Sequence, residues 1–229
     1  LRKSRLKGIR LPGVCDRLIA LLFADDTTVF LHINDDFSTL TDILEKWCKA
    51  SGGKFNSAKT EVIPLGVEDD RQEMYETNEV GGSVMKIPAN IKILRDGEDT
   101  RILGARLGNR CDPARAWARI VDKIQTNLER WDRRRPTIHG KRLIVNLEVA
   151  SRTQFLTTAQ GMPDEIRDKL DSIISDFIWS DSPKPLIKKA LLYEPIAKGG
   201  IGLLDLKARN DAITAMALKT YLRIGVDRP

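Results

Sequence analysis

The stretch Leu18-Ile19-Ala20-Leu21-Leu22-Phe23-Ala24-Asp25-Asp26-Thr27-Thr28-Val29-Phe30-Leu31 sets a short apolar run on each side of two adjacent carboxylates. Both runs are rich in strand-forming residues, so the stretch predicts a β-hairpin with Ala24, Asp25 and Asp26 at its tip. Leu22 and Phe23 before the acids, and Val29 and Phe30 after them, are expected to bury both flanks. Two like charges would then stand together at the lip of a core, which is costly unless a cation or hydrogen-bond donors compensate. A hard divalent cation with oxygen ligands is the natural compensator. Successive side chains alternate in an extended tip, so Asp26 points away from Asp25, and Asp25 is the better metal ligand.

Working outward, residues 1–17 are basic and carry Gly8, Pro12 and Gly13, and they predict a loop or arm. After the hairpin, Asp36 is an expected cap for a helix with its apolar stripe at Phe37, Leu40, Ile43, Leu44, Trp47 and Cys48; Ser51-Gly52-Gly53 stops it. A strand is expected over about Glu61–Leu65, closed by Gly66. Residues 67–83 are acidic and polar and predict a loop or partly disordered insertion. Val84–Leu94 and Arg101–Leu107 are expected to pair as a second hairpin about the Asp96-Gly97 turn, with Gly104 at a bulge or close packing point.

The rest of the chain predicts helices. Asp112-Pro113 is a helix start, followed by a stripe at Trp117, Ile120, Val121, Ile124, Leu128 and Trp131. A second helix is expected over about Lys141–Phe155 with Leu143, Leu147 and Ala150 inward. Pro163-Asp164-Glu165 opens a third, with Ile166, Leu170, Ile173, Ile174, Phe177 and Ile178 inward, ended by Pro183 and Pro185. Lys198-Gly199-Gly200-Ile201-Gly202 is an expected loop, and a last helix covers about Leu206–Ile224. The boundary between a small mixed α/β part, 1–111, and a helical part, 112–229, falls near Cys111.

The 229 residues are 41% hydrophobic and 31% charged, enough to build a real core. The net charge of +6 favours an anionic partner, nucleic acid first. Its distribution says more. Residues 1–17 carry six basic and one acidic side chain, residues 66–100 four and nine, and residues 113–150 nine and four. That layout suggests two anion-facing surfaces separated by a solvated acidic insertion. In the third region Arg130, Arg133, Arg134, Arg135, Lys141 and Arg142 form a dense basic patch suited to tracking a phosphate backbone. No apolar run approaches the length of a membrane span. Cys15, Cys48 and Cys111 lie far apart without metal-ligand spacing, which predicts reduced intracellular thiols and argues against zinc. The opening residues, without an initiator Met, are expected to be an internal start within a longer chain.

Three stretches in order carry a family resemblance. Phe23-Ala24-Asp25-Asp26 resembles the aromatic-Ala-Asp-Asp box of reverse transcriptases, and of the non-LTR (LINE-type) retrotransposon branch in particular; Gly8-Ile9-Arg10-Leu11-Pro12-Gly13 resembles its lead-in. Gly53–Thr60, with Asn56-x-x-Lys59-Thr60 at its end, resembles the branch's Gly- and Asn-x-x-Lys-Thr-containing segment beside the nucleotide site, and Ile102-Leu103-Gly104 resembles the short strand that grips the primer end. The resemblance implies an α+β fold: part of a polymerase palm, a mixed sheet with hairpin and helix, followed by an all-helical thumb-like bundle. It implies Asp25 and Asp26 as catalytic, metal-binding residues, Lys59 as a nucleotide-phosphate contact, Leu103 and Gly104 as primer grip, and Arg133, Arg134, Arg135, Lys141 and Arg142 as backbone contacts. Mg²⁺, or Mn²⁺, would support two-metal nucleotidyl transfer from deoxynucleotides on an RNA template with a DNA primer, in the nucleus. The family's further metal-binding aspartate is expected upstream, in an N-terminal portion of the same polyprotein. Asp16 lies too near the hairpin foot to replace it. Binding of nucleic acid is therefore a firmer expectation for this chain than synthesis.

Rival readings are weaker in detail. Asp26-Thr27-Thr28 lacks the glycine and second copy of an aspartic protease, and Asp25-Asp26 lacks the one-residue spacing of phosphatase acids. Gly199-Gly200-Ile201-Gly202 lacks the Gly-Lys-Thr of a phosphate loop and matches instead a Gly-Gly-x-Gly-Leu segment of LINE-type elements. The remaining alternative is a catalytically inactive nucleic-acid-binding remnant of such an element.

Overall fold

In this computed structural model, which describes residues 1–11, 16–79, 86–180, 182 and 184–222, the chain is mixed α+β with small sheets. The residues group into two units, Leu1–Cys111 and Asp112–Pro229. Pro12, Gly13, Cys15, the Val84 start of an expected strand, Pro183 and the Ile224 end of the last helix lie outside the described residues.

The first unit opens with β1 (Ile9–Arg10), β2 (Arg17–Leu18), β3 (Ala20–Phe23) and β4 (Asp26–Val29). Only Ile19 separates β2 from β3, so one extended segment pairs first with β1 and then with β4, antiparallel in both cases. Gly8 stands at φ +59, and a Cβ there would come within 2.4 Å of the Leu18 carbonyl oxygen, so the lead-in needs glycine for geometry alone. Helix α1 (Phe37–Ser51) starts as expected: the Asp36 carboxylate accepts from the Ser38 N–H at 2.9 Å. It ends on left-handed Gly52, whose N–H donates to the Cys48 carbonyl. Leu6, Ile19 and Leu40 form the small core beneath it.

Strand β5 (Glu61–Val62) is shorter than expected. The expected acidic loop is instead helix α2 (Glu68–Thr77). Three acids in its first turn suit the positive end of the helix dipole, and Asn78 closes it in the left-handed conformation. Composition misled because the inward face is carried by Met74 and by Arg71, a cation that α2 buries against Asp96. Strand β6 (Lys92–Ile93) pairs parallel with β5 rather than forming a hairpin about Asp96-Gly97. The second hairpin lies entirely within 100–107, as β7 (Thr100–Ile102) and β8 (Ala105–Leu107). The four pairings stay separate among the described residues, so the expected single mixed sheet is absent there.

The second unit is helical. Asp112 caps a short 3₁₀ turn, Pro113–Ala116, with Pro at its first position, and α3 (Ala118–Asp132) follows. Next come α4 (Ile138–Val145), a π-helical turn at Asn146–Ala150, and α5 (Ser151–Gln160). Then follow α6 (Asp164–Ile178), α7 (Lys189–Tyr193) and α8 (Leu206–Leu222). Trp117, Val121, Ile124 and Leu128 of the first stripe and Ile166, Leu170, Ile174, Phe177 and Ile178 of the third are buried in one core. Trp131 is exposed, with its indole N–H aimed at Glu148. The second stripe is corrected: Leu143 and Leu147 face outward, while Lys141, Val145, Val149, Thr153 and Thr157 are buried. These buried positions advance four residues at a time, slower than the 3.6 of an α-helix, and the wide π turn absorbs the excess.

The glycine loop acquires a role. A Cβ on Gly200 would meet the Glu194 carbonyl oxygen at 2.1 Å and that of Leu191 at 2.6 Å. Gly202 donates to the Glu194 carbonyl at 2.8 Å and Leu203 to that of Leu192 at 2.9 Å. The tight loop folds the chain back so that Leu203 and Leu206 enter the core.

Candidate functional site

The carboxylate hairpin closes through a two-residue turn, Ala24-Asp25, because Phe23 pairs with Asp26. Ala24 sits at φ +51, a left-handed conformation that costs a non-glycine residue about 1 kcal/mol. Asp25 therefore occupies the turn and Asp26 the first position of β4. Opposed residues share a face, so Leu22 and Thr27 lie on the face of buried Ala20 and partly buried Val29. Yet Leu22 is 65% exposed and Phe23 66% exposed. The distal half of the hairpin projects past the Leu6–Ile19–Leu40 core, so the expected burial of Leu22 and Phe23 does not occur, whereas Val29 packs partly buried against that core and Phe30 is partly buried. Asp25 and Asp26 are both exposed, and no hydrogen bond or ion pair among the described residues engages either carboxylate. Two hydrated charges repel weakly, so the fold itself does not require a cation to compensate the pair.

The donor set is oxygen-only and open to water, which fits Mg²⁺ or Mn²⁺. Among the described residues no group of three or more His, Cys, Asp or Glu side chains is placed to hold a metal ion. Asp25 and Asp26 would thus supply two ligands of a set completed by water or other groups.

Lys59 ends a 3₁₀ turn, Ser57–Lys59, and is exposed. Asn56 of the same segment caps that turn, accepting from the Ala58 N–H at 3.1 Å, and its carbonyl accepts from the Thr60 hydroxyl at 3.1 Å. Leu103 and Gly104 form the two-residue turn of the β7–β8 hairpin at φ +49 and +93, so the expected grip strand is a turn with Leu103 exposed at its tip. No hydrogen bond or ion pair among the described residues joins Asp25 or Asp26 to Lys59, Leu103 or Gly104.

The basic patch divides. Arg133, Arg134 and Arg135 follow α3, are exposed, and have no ion pair among the described residues. Arg134 and Arg135 donate backbone N–H groups to the carbonyls of Trp131 and Asp132, so three basic residues follow directly on the negative end of α3. Lys141 does not belong with them. It is 3% exposed, donates to the Ser180 hydroxyl at 2.7 Å and the Ile178 carbonyl at 3.4 Å, and pairs with Asp132 at 3.6 Å. Arg142 is half-buried, with Nε on the Gly202 carbonyl at 3.1 Å. Both side chains hold the helical core together, and the sequence conceals this because charge alone does not reveal a buried partner.

Several polar centres lie outside the expected site. Burial alone would raise the Asp35 pKa, but N–H donors from Lys7, His32 and Gly8 outweigh it and hold the carboxyl below its usual range. Glu148 behaves alike: burial is outweighed by Asn127, Arg152 and Trp131. The Asp96 carboxyl is held low first by the two-pronged Arg71 guanidinium, at 3.0 and 2.7 Å, with Tyr75 adding a hydroxyl at 2.9 Å. Trp47, expected in the inward stripe of α1, instead stacks obliquely on Phe55 in the open, ring centroids 5.2 Å apart.

No family model matches the chain, and no curated protein matches it.

Proposed function

We propose that this chain is a palm-and-thumb portion of an RNA-directed DNA polymerase of the non-LTR retrotransposon type, and that it holds a template–primer hybrid. One observation carries the reading: the aromatic-Ala-Asp-Asp box forms a tight, locally strained turn that presents both carboxylates to solvent and spends neither on the fold. The positive φ of Ala24 is what a two-residue hairpin turn requires, and the turn holds the two acids at the tip while neither is engaged by the rest of the fold. Asp25 is the first metal ligand and Asp26 the second. A bound Mg²⁺ or Mn²⁺ would acidify the primer hydroxyl and steady the leaving pyrophosphate. Lys59 offers a point charge to nucleotide phosphates, and Leu103-Gly104 offers an exposed backbone turn to the primer end. The family activity also implies deoxynucleotides, an RNA template and nuclear residence.

A second reading, a nucleic-acid-binding module without catalysis, is favoured by Arg133–Arg135, whose three exposed charges have no ion pair among the described residues. Primer extension on an RNA template with Mg²⁺ or Mn²⁺, run beside hybrid binding, separates the two. Extension abolished by Asp25→Ala establishes the enzyme. Binding alone, with a salt slope that shrinks by about 2–3 when all three arginines become serine, establishes the module. Neither binding nor extension overturns both.

A further inference from the structure

We propose that the Trp47–Phe55 ring pair is a stacking platform for an unpaired nucleobase, and that Lys46 and Lys54 of the same segment hold the strand's phosphates. The inference rests on the nucleic-acid reading for the class of its ligand and needs no catalysis.

Trp47 lies in the last turns of α1, where an apolar stripe would carry it inward, yet it is 52% exposed, and Phe55 is 39% exposed. Neither ring is loose. A Cβ on residue 53 would come within 2.8 Å of Trp47 Cζ3 and 2.9 Å of Cη2, so only glycine there lets the indole lie against the backbone. Phe55 abuts the indole at an interplanar angle of 46°. A large aromatic surface is thus fixed in water, with its ordering cost met before any ligand arrives.

The charge around it is one-sided. Residues 46–59 contain Lys46, Lys49, Lys54 and Lys59 and no acid, and all four lysines are exposed. Lys49 has an ordinary explanation, since it lies in the last turn of α1 and stands 3.9 Å from Glu45. Lys46, Lys54 and Lys59 have no ion pair among the described residues, and Lys54 directly precedes Phe55. Exposed aromatic faces in a segment of cations without ion pairs among the described residues are complementary to a single nucleic-acid strand, whose bases stack and whose phosphates are anionic. An acidic peptide would match the charge but not the ring faces.

The test is fluorescence anisotropy without metal, using a labelled oligothymidylate of about twelve nucleotides and an abasic strand of the same length. Template–primer hybrid binding is read on the same samples. Variants are Trp47→Leu and Phe55→Leu, which keep apolar bulk and remove a ring, and Trp47→Phe, which keeps one. The expected result is an oligothymidylate affinity about tenfold above the abasic strand, lost in both leucine variants and kept within about threefold by Trp47→Phe. The proposal is overturned if the leucine variants bind oligothymidylate as the parent does. It is equally overturned if they weaken both strands alike, or if an acidic peptide displaces oligothymidylate as well as unlabelled strand does. Hybrid binding that persists in those cases leaves the broader reading standing, and loss of all binding by the parent chain ends both.

Discussion

Gly200 shows how little room some single positions leave. Any side chain there would overlap two backbone carbonyl oxygens, neither of which is a flexible end that can move aside. Gly200→Ala is expected to cost about 2–4 kcal/mol, seen as a lower urea midpoint with an unchanged slope. Asp35 is a second such position. Its folded pKa lies below the usual carboxylate value of about 3.9, so its stabilising contribution is complete above that value. The contribution is lost as pH falls through the lower, folded value. Asp35→Asn is expected to lower stability at pH 7 and to flatten the acid limb of a stability–pH curve. Chemical denaturation at a series of pH values between about 2 and 7 checks the sign. The sequence exposed Asp36 as a helix cap, a local pattern, but not Asp35, whose donors Lys7 and Gly8 come from distant chain.

At the scale of elements, the run Ile138–Gln160 is the clearest test of which face turns inward. Glu148 is buried with three hydrogen-bonded partners, whereas Leu143 on the opposite side is exposed. Glu148→Ala is expected to cost about 2 kcal/mol by leaving the Asn127, Trp131 and Arg152 donors without their shared acceptor, while Leu143→Lys changes stability by less than about 0.5 kcal/mol. Thermal melts of the two variants, compared at equal concentration, decide it. The apolar pattern predicts the reverse order, and this locates the limit of the sequence. Helices α3 and α6 were legible because their buried stripes repeat at ordinary helical spacing, and α1 because Asp36 caps its start and Gly52 its end. The face of α4–α5 was not, because a π turn breaks that spacing and paired charges occupy the inside. Helix α2 was hidden for a related reason: its burial depends on Arg71 meeting Asp96, 25 residues away. At the candidate site, the hairpin and its tip acids were legible, but the exposure of Leu22 and Phe23 was not, since alternation says which face a residue takes and not whether anything covers it.

For the whole molecule, the second unit holds a buried apolar cluster of its own. The cluster from Trp117 to Leu206, with its partly buried neighbours, draws on residues of that unit throughout. Residues 112–229 expressed alone are therefore expected to give a helical circular-dichroism spectrum and one cooperative melt. A broad, non-cooperative loss of signal would show that the unit depends on the rest of the chain. No helix among the described residues is long and apolar enough to cross a membrane.

The five-residue turn at Asn146–Ala150 also bears on how the gene tolerates changes of length. One residue too many has been accommodated between α4 and α5 without turning α5 out of phase. Excising exposed Leu147 would let the backbone revert to ordinary helical hydrogen bonding while Thr153 and Leu156 keep their places in the core. An in-frame codon deletion there should be accepted, whereas the same deletion inside α6 would rotate half of a buried stripe into water.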